Sequence, residues 1–484
     1  MLWIIRLKSV TVNSAWVFIT LALSSCVLTS EQPEYQSQLP TSPRWHNEDN
    51  TTPEALGWFS AFNHDEVNQL TKEALENNPE LSIAKLRLEQ RKAEVDIQSA
   101  SFFPSLNLFT DASRTKSSSK GFDGQRIKTY ENSFKVGTKI SWEADLWGRL
   151  RSKSEAFESA LYQSELDYKY AKLSIITRTT QQWIEVVASS KQEEISRQQT
   201  ANLSDIVERT KHRYREGLLT ILDLRLVETD LANAKATLYS RIKERKETSR
   251  KLELLLGRYP SGSFRTAHSL PDLTQDYSAG IPSELLANRP DLLSAEQKII
   301  EAHNRVNAAE ADRLPRITLS QTTTYQNSKI KELFDPYSLI ASIAGGLIQP
   351  IFDGGRRSAI VIRNKANTDE KIFTYLQTVL KAYDEVEASL TNEALLTDQL
   401  EKLTEATSMA TQGELISREK YFSGLISTLD HLQAQQRLFI SQSRLINIKK
   451  QRLQSRATLY LALGGQTIPL SNFNKPSSNN GKPN

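Results

Sequence analysis

The sequence predicts a mixed α and β chain made of two copies of one unit, each a pair of strands framed by very long helices. Three observations carry that expectation. Residues 213–223 read RYREGLLTILD and residues 420–430 read KYFSGLISTLD, so Tyr, Gly and Asp recur in one register, with Gly217 and Gly424 standing 424 − 217 = 207 residues apart. Long runs free of proline and glycine occur in both halves, between Gly148 and Tyr214 and from Arg356 to Gln412. Between Tyr130 and Trp142 polarity alternates at every second residue, the period of a strand.

The duplication reaches well beyond the repeated phrase. NPELSIAKLRLEQRKAEVDIQSASFFPSLNL, from Asn78 to Leu108, corresponds to RPDLLSAEQKIIEAHNRVNAAEADRLPRITL, from Arg289 to Leu319, with Pro104 and Pro315 separated by 211 positions. LWGRLRS (Leu146 to Ser152) corresponds to DGGRRSA (Asp353 to Ala359), and LLLG ending at Gly257 to LALG ending at Gly464, both at a separation of 207. The change from 211 to 207 localises a four-residue difference between Pro104 and Gly148, expected as a longer loop within Ser113 to Gln125. The resulting division is a first repeat over 57–257, a connector over 258–283, a second repeat over 284–465 and a C-terminal tail over 466–484. Each repeat reads helix, hairpin (about 104–145 and about 315–353) and long helical hairpin (148–257 and 356–464).

A helix of about sixty residues extends roughly 90 to 100 Å at about 1.5 Å per residue. Leu161, Tyr168 and Ile175 recur every seven residues, with Phe157 and Ala171 at complementary positions, which predicts a coiled-coil seam. Such a rod can be a scaffold; attached to a barrel open at its centre, it would continue the barrel wall as a tube. The strand alternation sets Phe134, Val136, Thr138, Ile140 and Trp142 against Ser133, Lys135, Gly137, Lys139 and Ser141. A sheet packed on one core shows the same alternation, but a strand this long also suits a tilted membrane strand of about 9 to 11 residues. The second pair is less regular: Ile317 to Tyr325 alternates weakly, and Leu339 to Gln349 is small and Gly-rich. Two hairpins supply four strands, whereas a membrane barrel needs about eight or more, so in a membrane several chains must share one barrel. Three copies give twelve strands.

Composition narrows the function classes. Of 484 residues only 38% are hydrophobic, and the mean hydropathy is −0.47, which implies a thin core or an elongated chain. Sixty-one basic against 57 acidic residues leave +4, no reason to expect nucleic acid. Six dispersed histidines and two methionines offer no metal-site spacing. No G-x-S-x-G or H-E-x-x-H stretch occurs, so neither enzymatic chemistry nor a cofactor is expected.

The N-terminus carries Arg6 and Lys8, an apolar stretch from Ala15 to Leu23 broken by Thr20, and then LSSC ending at Cys26. Residues 1–25 read as a secretory signal too short to persist as a membrane-spanning helix. Ser24 and Ser25 before Cys26 resemble the bacterial lipoprotein signal, whose cysteine becomes the acylated first mature residue; an ordinary signal with a chance cysteine at the cleavage site is the alternative. Lipid chains contribute about 0.8 kcal/mol per buried CH₂, so several would anchor the N-terminus. Residues 26–56, rich in Ser, Gln and Pro, read as an extended tether, and a single cysteine permits no internal disulfide.

The repeated phrase reads as a turn between long helices. Gly217 and Gly424 suit the left-handed conformation after a helix end, and Thr220 to Asp223 and Ser427 to Asp430 each spell S/T-x-x-D, a helix start with a capping-box partner.

Taken in order, the PE/PD-L starts, FFPSL, WEADLWGR, QPIFDGGR, the doubled Y-x-x-G-x-x-x-x-x-D phrase and the terminal LYLALGG resemble the outer-membrane factor family, the TolC-like exit ducts, over Trp58 to Gly465. The resemblance is closest to the lipoprotein branch serving multidrug efflux pumps. It implies a homotrimer with a twelve-stranded barrel in the outer membrane of a Gram-negative bacterium, continued by a periplasmic α-helical coiled-coil barrel. The chain would be lipid-anchored at Cys26, Val27 favouring the outer membrane, and its connector would lie in an equatorial region. Implied partners are outer-membrane lipid, a periplasmic adaptor and an inner-membrane transporter of the resistance-nodulation-division type, whose docking opens a closed periplasmic end. By the same resemblance Asp430 and its symmetry mates form an acidic ring, and Asp223 bonds across to the neighbouring coil. Tyr421 is its partner in that latch, with Tyr214 as repeat counterpart. Some relatives carry a second acid one turn past this Asp; here Gln433 stands there, which weakens cation selectivity in the closed pore. A periplasmic lipoprotein adaptor and a type I protein secretion duct are the alternatives. An adaptor, however, should show one helical hairpin flanked by β-rich segments. The cargo, whether drug, metal ion, metabolite or protein, is not written in these motifs.

Overall fold

The computed structural model describes residues 65–120, 122, 124–266, 269–273 and 286–465. The signal, Cys26, the tether, the first residues of the first repeat, the tail and much of the connector lie outside the described residues. The first repeat contains α1 (Asp65–Asn77), α2 (Pro79–Ser99), β1 (Ser105–Lys120), β2 (Arg126–Ala144), α3 (Arg149–Arg215) and α4 (Ile221–Leu255). The second contains α5 (Pro290–Ala311), β3 (Arg316–Asn327), β4 (Leu339–Ile348), α6 (Arg356–Phe422) and α7 (Thr428–Ala462). The duplication is kept to the residue in the long helices: α3 and α6 have 67 residues each, and α4 and α7 have 35. The chain divides into two compact units, one over 87–164 and 294–375 and the other completing the described residues.

In the first unit the four strands form one antiparallel sheet in chain order. Its register extends the alternation across both repeats. Ile140 opposes Leu106 on one side and Gln321 on the other, Trp142 opposes Leu319, and Gln321 opposes Ile343. Because opposed residues share a face, Leu106, Leu108, Phe134, Val136, Ile140, Trp142, Leu319, Tyr325, Ile343 and Leu347 stand together. Ser141, Lys139, Thr318, Ser320 and Thr322 stand on the other side. The alternative of a sheet packed on one core does not hold among the described residues. Leu108 is 78% and Ile343 82% exposed, and every residue of β4 is exposed.

The ends of the sheet are tied to the helices by specific bonds. Trp142 donates its indole N–H to the carbonyl of Phe102 at 2.8 Å, and Trp147 reaches across the duplication to Pro315 at 2.7 Å. Asp145 accepts from the backbone of Leu150 and Arg151, capping α3, while Arg149 grips both carboxylate oxygens of Glu143. The expected longer loop in the first hairpin is not found. Ser113 to Lys120 continue as strand paired with Arg126 to Ser133, so the extra residues lengthen the strands. The second hairpin instead has shorter strands and a loop over 328–338 with two 3₁₀ turns. Only spacing was visible in the sequence, and the Ser/Lys-rich stretch KSSSK resembles loop and solvated strand equally.

In the second unit Val67, Leu70 and Ala74 of α1 pack with Leu173, Ile176, Trp183 and Ile184 of α3, Leu252 and Leu256 of α4, and Leu453, Ala457 and Tyr460 of α7. Trp183 is fully buried and donates to Glu66 at 2.8 Å, so its one polar atom is satisfied. The two repeats join helix ends in parallel ways. Asn78 accepts from the backbone of Glu80 and Leu81, and its amide donates to the carbonyl of Leu255 at the end of α4. The residue in the same place, Arg289, donates to the carbonyl of Ala462 at the end of α7 and pairs with Asp291 and Glu385. The described part of the connector folds onto α4 through Glu253. Burial alone would raise the pKa of this carboxyl, but hydrogen bonds from Ser261 and the backbone of Gly262, Ser263 and Phe264 hold it below the usual range. The seam along α3 departs from expectation. Ile175 is buried, but Leu161 and Tyr168 are half-exposed, and the heptad that is buried runs through Ser159, Leu166, Leu173 and Thr180 with Ala156 and Ala160 beside it. Small and hydroxyl residues let helices approach closely, a preference that a search for large apolar heptads overlooks.

Candidate functional site

The repeated phrase folds into two turns of one design. At the end of α3 the amide of Gly217 donates to Tyr214 at 3.0 Å and that of Leu218 to Arg213 at 2.9 Å; at the end of α6 Gly424 donates to Tyr421 and Leu425 to Lys420 at 3.1 and 2.8 Å. These are the two bonds of a Schellman helix stop, with glycine at φ 75° and 71°. No atom lies within 4 Å of where a Cβ would stand at either position. Backbone conformation, not space, therefore requires glycine.

The following helices start with reciprocal caps. Thr220 Oγ1 accepts from the amide of Asp223 at 3.2 Å, and Asp223 Oδ2 accepts from the amide and hydroxyl of Thr220 at 2.9 and 2.7 Å. Ser427 and Asp430 repeat the arrangement at 3.2, 3.2 and 2.7 Å. The Thr220 hydroxyl, with its N–H, holds the Asp223 carboxyl below the usual carboxylate range, so it stays charged into mild acid. In both boxes a single oxygen does the capping. Oδ1 of Asp223 and of Asp430 accepts no bond among the described residues, and Asp430 is exposed. Capping thus leaves a carboxylate oxygen on each turn for another partner.

The two tyrosines differ more than their positions suggest. Tyr214 is 38% exposed, whereas Tyr421 is buried and stacked on His431, ring centroids 5.0 Å apart and planes 12° from parallel. The Tyr421 hydroxyl, Thr428 Oγ1 and Gln435 Oε1 are buried without a partner among the described residues. His431 is itself buried and shares a hydrogen bond with Ser417 Oγ at 3.1 Å through Nδ1. Burial pushes its pKa down; Glu414 opposes that shift and Arg418 adds to it. Neither His431 nor Ser417 was expected from the motif. The available signal was the duplication, which sets His431 opposite buried Leu224 and Ser417 opposite buried Thr210. Beside this turn Arg209 lies 4.9 Å over the ring of Phe422, and a groove runs between them past Glu208, His212 and Ser423. Exposed apolar side chains surround both turns: Leu218 and Leu222 on one, Leu425 and Leu429 on the other. Gln433 is exposed. Among the described residues no group of acids, histidines or cysteines could hold a metal ion. No helix among them is long and apolar enough to cross a membrane. The arrangement offers fixed negative charge beside exposed apolar area.

Comparison with known proteins agrees with this geometry. The family profile described as "Outer membrane efflux protein" matches residues 70–258 and 281–465, one match on each copy of the duplication. The pyoverdine export outer membrane protein OpmQ of Pseudomonas aeruginosa is 28% identical over 84% of this chain and 87% of its own length. The cation efflux system protein CusC of Escherichia coli is 25% identical over 92% and 98% respectively. A crystal structure of a membrane protein from Pseudomonas aeruginosa superposes with a TM-score of 0.82 at 26% identity, covering 90% of this chain and 99% of that one. With both repeats matched and the strand-and-long-helix fold shared, the chain belongs to the outer membrane efflux protein family, the TolC-type channels of tripartite efflux systems, whose members conduct rather than catalyse.

Proposed function

We propose that three copies of this chain close a twelve-stranded barrel in the outer membrane and continue it as a periplasmic helical tunnel. The assembly is the passive exit duct for a periplasmic adaptor and an inner-membrane transporter of the resistance-nodulation-division type. The observation that carries this reading is the sheet: one largely apolar face spans all four strands of both repeats, exposed on β1 and β4 and half-buried over most of β2 between them. Cys26 is the lipid attachment site of a lipoprotein-branch member, a reading that Ser24 and Ser25 before it support. The periplasmic gate is built from the two turns. Asp430 and its symmetry mates form an acidic constriction, and Asp223 reaches a neighbouring coil through its free oxygen, with Tyr421, whose hydroxyl has no partner among the described residues, as its partner in that latch and Tyr214 as the repeat counterpart. Leu218, Leu222, Leu425 and Leu429 give the adaptor an apolar surface to engage. An adaptor role for this chain itself is disfavoured by the paired hairpins. Relatives named for pyoverdine export and for cation efflux match it to similar degrees, so the cargo follows from the pump it serves.

Single-channel conductance in planar bilayers tests the gate. Asp223→Ala with Asp430→Ala should raise conductance several-fold. Thr220→Ala with Ser427→Ala, which removes the caps but keeps both carboxylates, should cost about 1 kcal/mol per helix start without that rise. Unchanged conductance in the aspartate variant alongside reduced thermal stability leaves the aspartates as caps only.

A further inference from the structure

The first hairpin changes its chemistry partway along one face. From Leu106 to Ala112 in β1 and from Phe134 to Trp142 in β2 that face is apolar or carries small hydroxyls. Beyond Ala112 and Phe134 the same face carries Arg114, Lys116 and Lys120 from β1 and Arg126 and Lys128 from β2, around Tyr130. The pairing Lys116 to Tyr130 and Arg114 to Asn132 fixes this parity, and the side chains follow it: the Arg114 guanidinium lies 5.3 Å and the Lys116 ammonium 5.5 Å from the Tyr130 ring centroid. No carboxylate shares the face here; Asp111 and Glu131 fall on the opposite side. All five cations are exposed. The second hairpin has nothing comparable, since β3 and β4 stop at 12 and 10 residues against 16 and 19 for β1 and β2.

The position of this change is informative. In a membrane barrel the outward apolar band is about 25 Å tall and ends in aromatic residues at the head-group level. Eight residues of strand, Ser105 to Ala112, at about 3.3 Å each and tilted by about 40°, rise roughly 20 Å of that height, and Tyr130 comes next. The helices join at the Ser105 and Ala144 end, so the basic end points away from the periplasm, toward the outer leaflet. Lysine and arginine at that level attract anionic head groups, and a guanidinium matches phosphate with paired donors.

We propose that the outward face formed by Arg114, Lys116, Lys120, Arg126 and Lys128 binds the phosphate groups of lipid A in the outer leaflet, with Tyr130 holding Arg114 and Lys116 over the sheet. This rests on the membrane-barrel reading above. The test uses the purified full-length protein in detergent with bis-phosphorylated lipid A in mixed micelles, against the same lipid with both phosphates removed. Wild-type protein should bind the phosphorylated lipid at least about tenfold more tightly, increasingly so at low salt. Replacing all five cations by Gln should abolish that preference, and the smaller Lys120→Gln, Arg126→Gln pair should reduce it should the full variant misfold. Lys135→Gln with Lys139→Gln, on the opposite face, should leave it intact. Equal binding of the two lipids by wild type, or an undiminished preference in folded variants, overturns the proposal. Planar-bilayer insertion separates the underlying reading: wild-type protein that forms no channel there overturns the barrel, whereas channels with unchanged lipid preference in the five-fold variant overturn only this inference.

Discussion

His431 shows how one substitution between repeats can make two similar turns respond differently to pH. Its imidazole replaces the leucine of the first repeat, sits buried against Tyr421 and Ser417, and has a pKa depressed chiefly by burial, so the folded turn holds it neutral. The sign follows from linkage: an opened turn binds a proton more readily than the closed one, so protection is full above the ordinary imidazole value of 6.5 and is lost as pH falls through it. Glu414 and Arg418, the charged groups acting on the ring, pull in opposite directions and do not change that direction. Hydrogen exchange in the α6–α7 turn should therefore speed up between about pH 7.5 and about pH 5.5, after correction for intrinsic exchange. His431→Leu, which restores the residue of the first repeat, should flatten the profile. An equally flat profile in the wild type would refute the argument.

At the scale of elements, the duplicated helix ends are fastened by residues of different cost. Asn78 is a neutral cap whose amide closes one carbonyl, whereas Arg289 is a buried cation whose loss takes the guanidinium from Asp291 and leaves Glu385 with Lys381 at 3.8 Å. Asn78→Ala should lower stability by about 1 kcal/mol. Arg289→Ala should cost about 3 kcal/mol, the low end for a broken buried pair because both acids keep some solvent contact. Thermal midpoints measured in the same detergent decide; equal shifts would show that the charge network adds nothing to the join. Gly217, Gly424 and the two S/T-x-x-D stretches carry local rules, so turns and caps were legible residue by residue. The strand face at Phe134 to Trp142 was legible too, because its period is local. The buried seam through Ser159, Leu166, Leu173 and Thr180 keeps a heptad but fills it with hydroxyls at both ends, and the pairing of Ser113 to Lys120 depends on the strand that lies opposite. His431 was hidden because a polar residue at an apolar position means little until its neighbours are placed.

At the scale of the whole molecule, the sheet's edges bear on how many chains the proposed barrel takes. β1 and β4 are its two ends, and among the described residues the outer edges of these 16- and 10-residue strands have no strand beside them. In lipid each unpaired N–H or C=O costs several kcal/mol, so on the proposed barrel reading β4 of one copy would join β1 of the next until the sheet closes. Two copies would give eight strands, an interior that side chains fill. Three give twelve, the smallest closure that leaves a lumen, and the inward face of Ser141, Lys139, Ser320 and Thr322 is suited to water. Light scattering of the protein in detergent, corrected for bound detergent, should thus return three times the mass of the processed chain, with crosslinking giving a ladder that ends at three. A monomer would show that the apolar face is covered some other way, and a dimer would close a barrel with no room for cargo; either would remove the duct.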